Sequence, residues 1–147
     1  MASDETEVKI RKMTEDDLPQ INEIDCLIQG KERVVTWPFT AEAHWKTYHP
    51  VLDFVAEFDG KVVGFLLENI KRAKSKVPLV GWVDMMGIHP EHQRREIGKK
   101  LIEAFYGECK QSSATSAVIV KKNDKKRKRF SKALGFKEED WTIFEKE

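Results

Sequence analysis

One stretch of the chain, residues 83–101, constrains the fold more than any other. It begins as an apolar run typical of a strand, and Pro90 ends that run because proline donates no hydrogen bond to a sheet ladder. A polar, basic loop follows, after which Ile97, Leu101 and Phe105 recur at the spacing of one helix face. The sequence therefore predicts a strand, a loop and an amphipathic helix in direct succession.

The loop and the start of the helix together favour the binding of an anion. The first turn of a helix has N–H groups without partners and the positive end of the macrodipole. Gln93, Arg94 and Arg95 lie just before it, and the two guanidinium groups add positive charge. We therefore expect this loop to bind a phosphate or pyrophosphate.

The same stretch resembles the acyl-CoA-binding core of the GNAT N-acetyltransferase superfamily. The shared parts are a strand, "Ile-x-Pro", "Gln-Arg-Arg-x-Ile-Gly" and then "Leu-Ile" on a helix. The family signature, (Arg/Gln)-x-x-Gly-x-(Gly/Ala), is matched by Gln93 and Gly98, but Glu96 replaces its middle glycine. We expect a glutamate to fit there only with a negative φ and its side chain turned outward.

Three further matches follow the family's order along the chain. Residues 10–21 read "Ile-Arg-x-x-Thr-x-x-Asp-Leu-x-x-Ile", and residues 55–65 read "Val-Ala-Glu-x-Asp-Gly-Lys-Val-Val-Gly-Phe". Near the end, Asn123 and residues 130–136 resemble the second signature, "Asn…Phe-Tyr-x-x-x-Gly-Phe", with Ser131 in place of its tyrosine.

Local signals predict the elements between these motifs. Thr14 caps a helix that runs to Gly30, and Asp59-Gly60 joins two strands as a hairpin because that turn needs positive φ at both positions. The other expected elements are a first strand Val8–Arg11, a strand Leu79–Ile88, a helix 96–110, a buried strand Ala117–Val120, a helix Asp124–Leu134 with Gly135 as its C-cap, and closing strands from Phe136 and over Trp141–Phe144.

The resemblance implies an α/β fold with one N-acetyltransferase domain over residues 1–147. Its mixed sheet has mostly antiparallel N-terminal strands and a central parallel pair that splays apart to bind CoA, and helices flank the sheet. Pantetheine would bond the backbone of Met86, Gly87 and Ile88. The phosphates would meet the loop and helix start, and Asn123 belongs to the same side; the loop residues are Gln93, Arg94, Arg95, Glu96, Ile97, Gly98 and Lys99.

The resemblance also suggests catalytic residues. Asp84 stands where many members have an acidic residue and would accept the amine proton, with Glu57 and Glu68 as weaker candidates. The alternative is a strand carboxylate bonded to a backbone amide or at the sheet surface. Ser131 would hold a water in place of the tyrosine that protonates the leaving thiolate.

Composition excludes other classes. The net charge is +1, so nothing global favours nucleic acid, and the basic run 121–129 is read as a solvated helix face that partly neutralises a CoA phosphate. No targeting or membrane segment is evident. Cys26 and Cys109 are expected as buried free thiols in a reducing cytoplasm. No metal site is expected, because His89 and His92 have no carboxylate partners at ligand spacing.

The predicted function is transfer of an acetyl group from acetyl-CoA to a primary amine. The alternatives are a catalytically weak or inactive acyl-CoA-binding protein and, much less favoured, a nucleic-acid-binding module. The acceptor stays open among a protein N-terminus, a polyamine, an aminoglycoside-type drug and an amino acid, and a homodimer is not excluded. Three aromatic residues and one proline either line the acceptor pocket or pack a lid helix onto the sheet: Trp37, Pro38, Phe39 and Trp45.

Overall fold

The two longest strands of the sheet pair with each other, and the shorter strands lie on either side of this pair. The computed structural model describes residues 7–28, 34–35, 53–71, 79–93, 95–140, 144 and 146. The strands are β1 (Lys9–Lys12), β2 (Val34–Val35), β3 (Phe54–Phe58), β4 (Lys61–Lys71), β5 (Leu79–Ile88) and β6 (Ala114–Val118). The helices are α1 (Leu18–Ile28), α2 (Ile97–Gln111) and α3 (Lys125–Ala133), with 3₁₀ turns at Glu15–Asp17 and Pro90–His92.

The strand order is β1-β3-β4-β5-β2, all antiparallel, and β6 pairs with β5 in parallel. Because β4 occupies one edge of β5 along most of its length, β2 and β6 must share the other edge. The expected mixed sheet with a parallel pair is confirmed.

The turn between β3 and β4 has the predicted form. Asp59 has φ 52° and Gly60 has φ 74°, and Phe58 pairs directly with Lys61 across the two-residue loop. These signs of φ match the right-handed twist of the flanking strands. The predicted hairpin is confirmed.

Helices cover both faces of the sheet, so the central strands are apolar on both sides. On one face, α2 contributes buried residues to a cluster with β3, β4 and β5; on the other, α1 packs against the same strands. The members from the two helices are Ile97, Leu101, Ile102, Phe105 and Cys109 on the first face, and Ile21, Ile24 and Ile28 on the second.

The start of α1 is tied to the sheet by polar contacts. The backbone N–H of Thr14, the predicted N-cap, donates to Asp17 Oδ2 at 2.8 Å, as in a capping box. Arg11 donates to both carboxylate oxygens of Asp17, at 2.7 and 2.8 Å, and to Glu57 at 2.9 Å. These bonds outweigh the effect of burial and lower the pKa of Asp17.

Two strand predictions are wrong. β6 covers Ala114–Val118 instead of 117–120, because its ladder with β5 ends at the pair Val83–Val118. The strand is half-buried and not buried as predicted. Residues 136–140 form no strand; four successive charged side chains follow Phe136 and cannot alternate between core and solvent.

Cys109 is buried and free as expected, but Cys26 is exposed, so that prediction is wrong for Cys26. Asp25 takes the buried position on α1 instead, and Cys26 falls beside the exposed Leu27. Gly30, the aromatic set at 37–45 and Trp141 lie outside the described residues. Within the part described, the longest helix has 15 residues, and none is long and apolar enough to cross a bilayer.

Candidate functional site

The parallel strands part where β5 carries an irregularity. Leu67 of β4 pairs with Met85 and Glu68 pairs with Val83, so Asp84 is an extra residue on β5. Such a bulge bends its strand and increases the local twist. The last pair between β5 and β6 is Val83–Val118, immediately before the bulge. The predicted splay of the parallel pair therefore begins at Asp84.

A narrow apolar crevice lies in this gap, between the diverging strands and α3. It encloses about 20 Å³, room for roughly one water molecule. The residues around it are Met86, Val118 and Val120 of the two strand segments, Ile102 of α2, and Arg127, Phe130, Ser131, Leu134 and Phe136 of α3 and the turn after it. Ser131 and Met86, both predicted site residues, thus meet at one opening.

The edge of β5 beyond the bulge is only partly open. Met85 and Met86 pair with Val35 and Val34 of β2. Gly87 and Ile88 have no strand partner on that edge in the described part of the chain. Three residues are expected to bond pantetheine, and one of them, Met86, is already paired with β2. Nothing in the sequence signalled this two-residue strand.

Gly87 is also fixed by packing on the face of α1. A Cβ at this position would lie 2.4 Å from Ile28 Cδ1 and 2.8 Å from Phe65 Cε1. The end of α1 can therefore approach the sheet this closely only over a glycine.

The carboxylate candidates differ in their surroundings. Asp84 and Glu68 are each only 2% exposed, whereas Glu57 is half-buried and held by Arg11. A third buried carboxyl, Asp53, lies beside Glu68, whose backbone N–H donates to Asp53 Oδ1 at 2.8 Å. Sequence reasoning gave Asp53 no role. The available signal was a lone carboxylate inside the apolar run 51–56.

The loop after β5 is held against the sheet. The backbone N–H of His89 donates to Val63 O at 2.8 Å, and a 3₁₀ turn follows over Pro90–His92. The Arg95 guanidinium lies 4.4 Å from the centre of the Phe58 ring, a cation–π contact. Gln93 is exposed, and Arg94 lies outside the described residues.

Three potential metal ligands meet in this loop, contrary to the premise that the histidines lack a carboxylate. Ligand atoms of His89, Glu91 and His92 lie within 4.8 Å of one another. However, His89 Nδ1 already accepts a hydrogen bond from the Glu91 N–H at 3.1 Å. Burial and the charge of Arg95 lower the pKa of His92. That positive charge opposes a cation, so the cluster carries no metal assignment.

Glu96 contradicts its predicted conformation. It precedes α2 with φ 58° and ψ 23°, in the left-handed region, and its side chain makes no capping bond. The family's glycine at this position is explained by the same φ, since glycine alone adopts it without strain. Glu96 in this conformation therefore stores strain in the loop.

The first turn of α2 offers backbone N–H groups toward the loop. Ile97 is buried in the core, Gly98 is half-buried, and Lys99 is exposed. A Cβ at Gly98 would lie 3.4 Å from Phe130 and 3.7 Å from Met86, an ordinary contact distance. The loop, α3 and β5 are thus in contact at Gly98.

α3 begins and ends as predicted, within one residue. Asp124 caps it, accepting from the Arg127 N–H at 3.1 Å and from Arg127 Nη1 at 2.6 Å. Asn123 is exposed in the turn just before it. At the other end Gly135 has φ 93°, and the N–H of Phe136 donates to Ser131 O, which completes a Schellman motif.

Of the predicted site residues, Met86, Gly98 and Ser131 lie where β5, α2 and α3 meet. Asn123 and Lys99 are exposed, and the Arg95 guanidinium contacts the Phe58 ring. Arg127, which sequence reasoning read only as part of a basic face, lines the crevice beside Ser131.

The family model described as "Acetyltransferase (GNAT) family" matches residues 18–136. No curated protein matches the chain at a significant level.

Solved structures with similar folds were found. The aminoglycoside N-acetyltransferase AAC(6')-Iy, in complex with the bisubstrate analogue CoA-S-monomethyl-acetylneamine, superposes with a TM-score of 0.76 at 19% identity, over 97% of this chain and 99% of that one. The aminoglycoside acetyltransferase meta-AAC0020 from an uncultured soil metagenomic sample, in complex with sisomicin, gives 0.72 at 20% identity, over 95% of both chains. Naa50 from Arabidopsis thaliana, with the bisubstrate analogue CoA-Ac-MVNAL, gives 0.71 at 15% identity, over 90% of this chain and 85% of that one.

Proposed function

The chain belongs to the acetyltransferase (GNAT) family, and we propose that it transfers an acetyl group from acetyl-CoA to a primary amine. One observation carries the proposal. The parallel strands part at a bulge formed by a buried carboxylate, Asp84, and the loop at the start of α2 lies at the far end of the same strand. A thioester and a general base would therefore meet within one gap.

In this proposal the CoA phosphates bind at the loop and first turn of α2. The backbone N–H groups of Ile97, Gly98 and Lys99 and the macrodipole supply the attraction. Gln93 and Asn123, both exposed, would add side-chain contacts to the phosphates. Arg95 contributes its charge from above Phe58, or moves off that ring to reach a phosphate.

The pantetheine arm would bond the open edge of β5 at Gly87 and Ile88. Reaching Met86 requires β2 to separate from it, because the two segments are paired. The crevice must also widen, since its volume admits little more than one water. Binding is therefore expected to move the segment around residues 34–35.

The proposed chemistry assigns one role to each group. The amine nitrogen attacks the thioester carbonyl carbon, a C–N bond forms, and the C–S bond breaks. Asp84 accepts the proton that the amine loses. A β5 backbone N–H polarises the carbonyl oxygen. The thiolate leaves toward Ser131 and Arg127, where a water on Ser131 returns a proton and the guanidinium stabilises negative charge.

The acceptor is proposed only as a primary amine on a small molecule or a peptide N-terminus. The similar structures include enzymes titled for aminoglycosides and one bound to an analogue carrying the peptide sequence MVNAL. What these acceptors share is the amine. We also keep the cytoplasm as the proposed compartment, where the free thiols of Cys26 and Cys109 would stay reduced.

Two observations favour a second candidate, an acyl-CoA-binding protein with weak or no turnover. Glu96 places a strained, negatively charged residue in the phosphate loop. Ser131 stands where the family often has the tyrosine that protonates the thiolate. Lack of such an acid slows the reaction by roughly 10²-fold at the low end of such effects.

A thiol-release assay with acetyl-CoA over a panel of amines separates the candidates. The panel includes polyamines, aminoglycosides, amino acids and short peptides with free N-termini. Acetyl-CoA should raise Tm, because a ligand that binds only the folded state stabilises it. A Tm shift without release of thiol from any acceptor would favour the binding protein. No shift at millimolar acetyl-CoA would contradict both.

A further inference from the structure

Three buried carboxyl groups come together across three neighbouring strand segments. Asp53 directly precedes β3, Glu68 lies in β4 and Asp84 lies in β5, and each is 2% exposed. Asp53 Oδ1 accepts the backbone N–H of Glu68 at 2.8 Å, and its own backbone carbonyl accepts the N–H of Met13 at 2.9 Å. The position of Asp53 is therefore fixed by bonds on both sides.

The other oxygen of Asp53 has different surroundings. Oδ2 is buried, and no residue of the described part hydrogen-bonds it. A buried carboxylate oxygen left unsatisfied is costly, whereas a protonated carboxyl has an O–H that can donate. Glu68 and Asp84 are the charged groups that act on Asp53, and their carboxylates are acceptors.

Charge favours the same conclusion. Burial raises the pKa of Asp53 well above its usual range; the hydrogen bond from the Glu68 N–H, the next largest effect, opposes this, and the negative charges of Glu68 and Asp84 add smaller effects that raise it. Three ionised carboxyls in one buried cluster are unfavourable, so the cluster retains a proton. Within the described residues, the Oε2 atom of Glu68 is also buried and accepts no hydrogen bond, so it is the orphaned Oδ2 together with the raised pKa that points to Asp53 as the residue that carries the proton.

We propose that Asp53 is protonated in the folded protein and is a positioning residue, whose Oδ2–H donates a hydrogen bond toward the neighbouring carboxyl groups of Asp84 and Glu68 and orients Asp84 toward the acceptor amine. Its role in catalysis rests on the proposed function, but its protonation does not. In the reaction the amine proton passes to Asp84, and Asp53 keeps its own proton throughout. Asp53 touches no reacting atom.

The first test reads the proton directly and needs no activity. Infrared spectra at neutral pH should contain the C=O band of a protonated carboxyl that disappears in Asp53→Asn and persists in Asp84→Asn. The stability of the two proteins gives a second reading. Because the folded-state pKa of Asp53 is raised, wild-type stability falls as the pH rises from the unfolded-state value toward the folded one. The Tm of Asp53→Asn minus that of the wild type should therefore increase as the pH rises. Absence of the band, or parallel Tm curves, would overturn the protonation.

The second test reads the positioning role. Asparagine is nearly isosteric with the protonated acid and also donates a hydrogen bond. Asp53→Asn should therefore keep kcat/KM within about twofold and leave the acidic limb of its pH profile unchanged. Asp53→Ala removes the donor and should move the acidic limb to higher pH by about one unit, which corresponds to the loss of one hydrogen bond to a charged group. A tenfold loss in Asp53→Asn would show that Asp53 acts as an anion and overturn the proposal. Failure to acetylate any amine would instead refute the proposed function, while the infrared band still decides the protonation.

Discussion

Three non-glycine residues in the described part of the chain lie in the left-handed region, Asp59, Glu96 and Ser113, and the first two differ in how well the residue suits that region. Asp59 has φ 52° in the hairpin turn, and Glu96 has φ 58° before α2. Aspartate visits this region comparatively readily because its short side chain can bond nearby backbone, whereas glutamate has no such compensation. The hairpin is therefore locally consistent, and the phosphate loop is not.

The contrast extends to the strands that these loops follow. The β3–β4 turn sets the pairing of Phe58 with Lys61 and needs nothing beyond itself. The segment from β5 to α2 contains both the bulge at Asp84 and the strained Glu96. Residues held in sparsely populated conformations cluster at functional sites, where the surrounding structure supports them. At the proposed site, a strand irregularity and a strained residue therefore lie on one short segment of the chain.

The largest expected effect comes from the bulge. Asp84→Asn should lower turnover at least tenfold and leave acetyl-CoA affinity nearly unchanged, because the amide cannot accept the amine proton. Steady-state kinetics and calorimetric titration measure the two quantities. Glu57→Gln is the matched control, since Glu57 is engaged by Arg11, and its turnover should stay within about twofold. Equal turnover in Asp84→Asn would move the base elsewhere, with Glu68 next in line.

The next effect concerns the first turn of α2. Gly98→Glu should abolish the rise in Tm caused by acetyl-CoA, because a negative side chain would enter the phosphate loop. At 100 times Kd the rise corresponds to about 2.7 kcal/mol, so its loss is easily measured by thermal unfolding. Gly98→Ala is the control and should keep the rise, since its Cβ would meet Phe130 only at 3.4 Å. A full rise in Gly98→Glu would mean that CoA binds elsewhere.

The third prediction tests the strain at Glu96. Glu96→Gly should raise the unfolding free energy by about 0.5–1 kcal/mol, because relief of about 1–2 kcal/mol of left-handed strain exceeds the cost of a more flexible unfolded chain. It should also tighten acetyl-CoA binding, most clearly at low salt, where charge repulsion is least screened. Denaturant titration and calorimetry at two ionic strengths measure these changes.

Glu96→Gln separates the two causes. It removes the charge and keeps the strain, so it should tighten acetyl-CoA binding without stabilising the free protein. If Glu96→Gly binds more weakly than the wild type, Glu96 supports the loop and its strain is not a cost to binding.

The features predicted correctly from sequence depend on a few neighbouring residues. Asp59-Gly60 determines its own turn, Asp124 and Gly135 cap α3, and the apolar spacing of α2 fixes its buried face. The family motifs extended this reading to the parallel pair and its splay. The same motifs predict the region of the site, and that stays a prediction.

The features missed depend on partners that are distant in the chain. β6 ends at the bulge in β5, and β2 pairs with the edge of β5. The surroundings of Asp53 include the charged groups Glu68 and Asp84. The φ of Glu96 was predicted with the wrong sign because residue preference was followed, whereas the loop shape imposed by the fold prevailed.

The smallest expected effect is in the hairpin, and it decides whether the comparison holds. Asp59→Gly, like Glu96→Gly, removes a Cβ from a left-handed position, but aspartate tolerates that position and little strain is released. The gain from relief and the loss from the more flexible unfolded chain should nearly cancel, so the unfolding free energy should change by less than about 0.5 kcal/mol. Acetyl-CoA binding should not change at all, because the turn lies outside the proposed site. Both variants would be measured by denaturant titration in one buffer. If Asp59→Gly stabilises as much as Glu96→Gly, the two loops carry equal strain, and the conformation of Glu96 has no special connection with the phosphate loop.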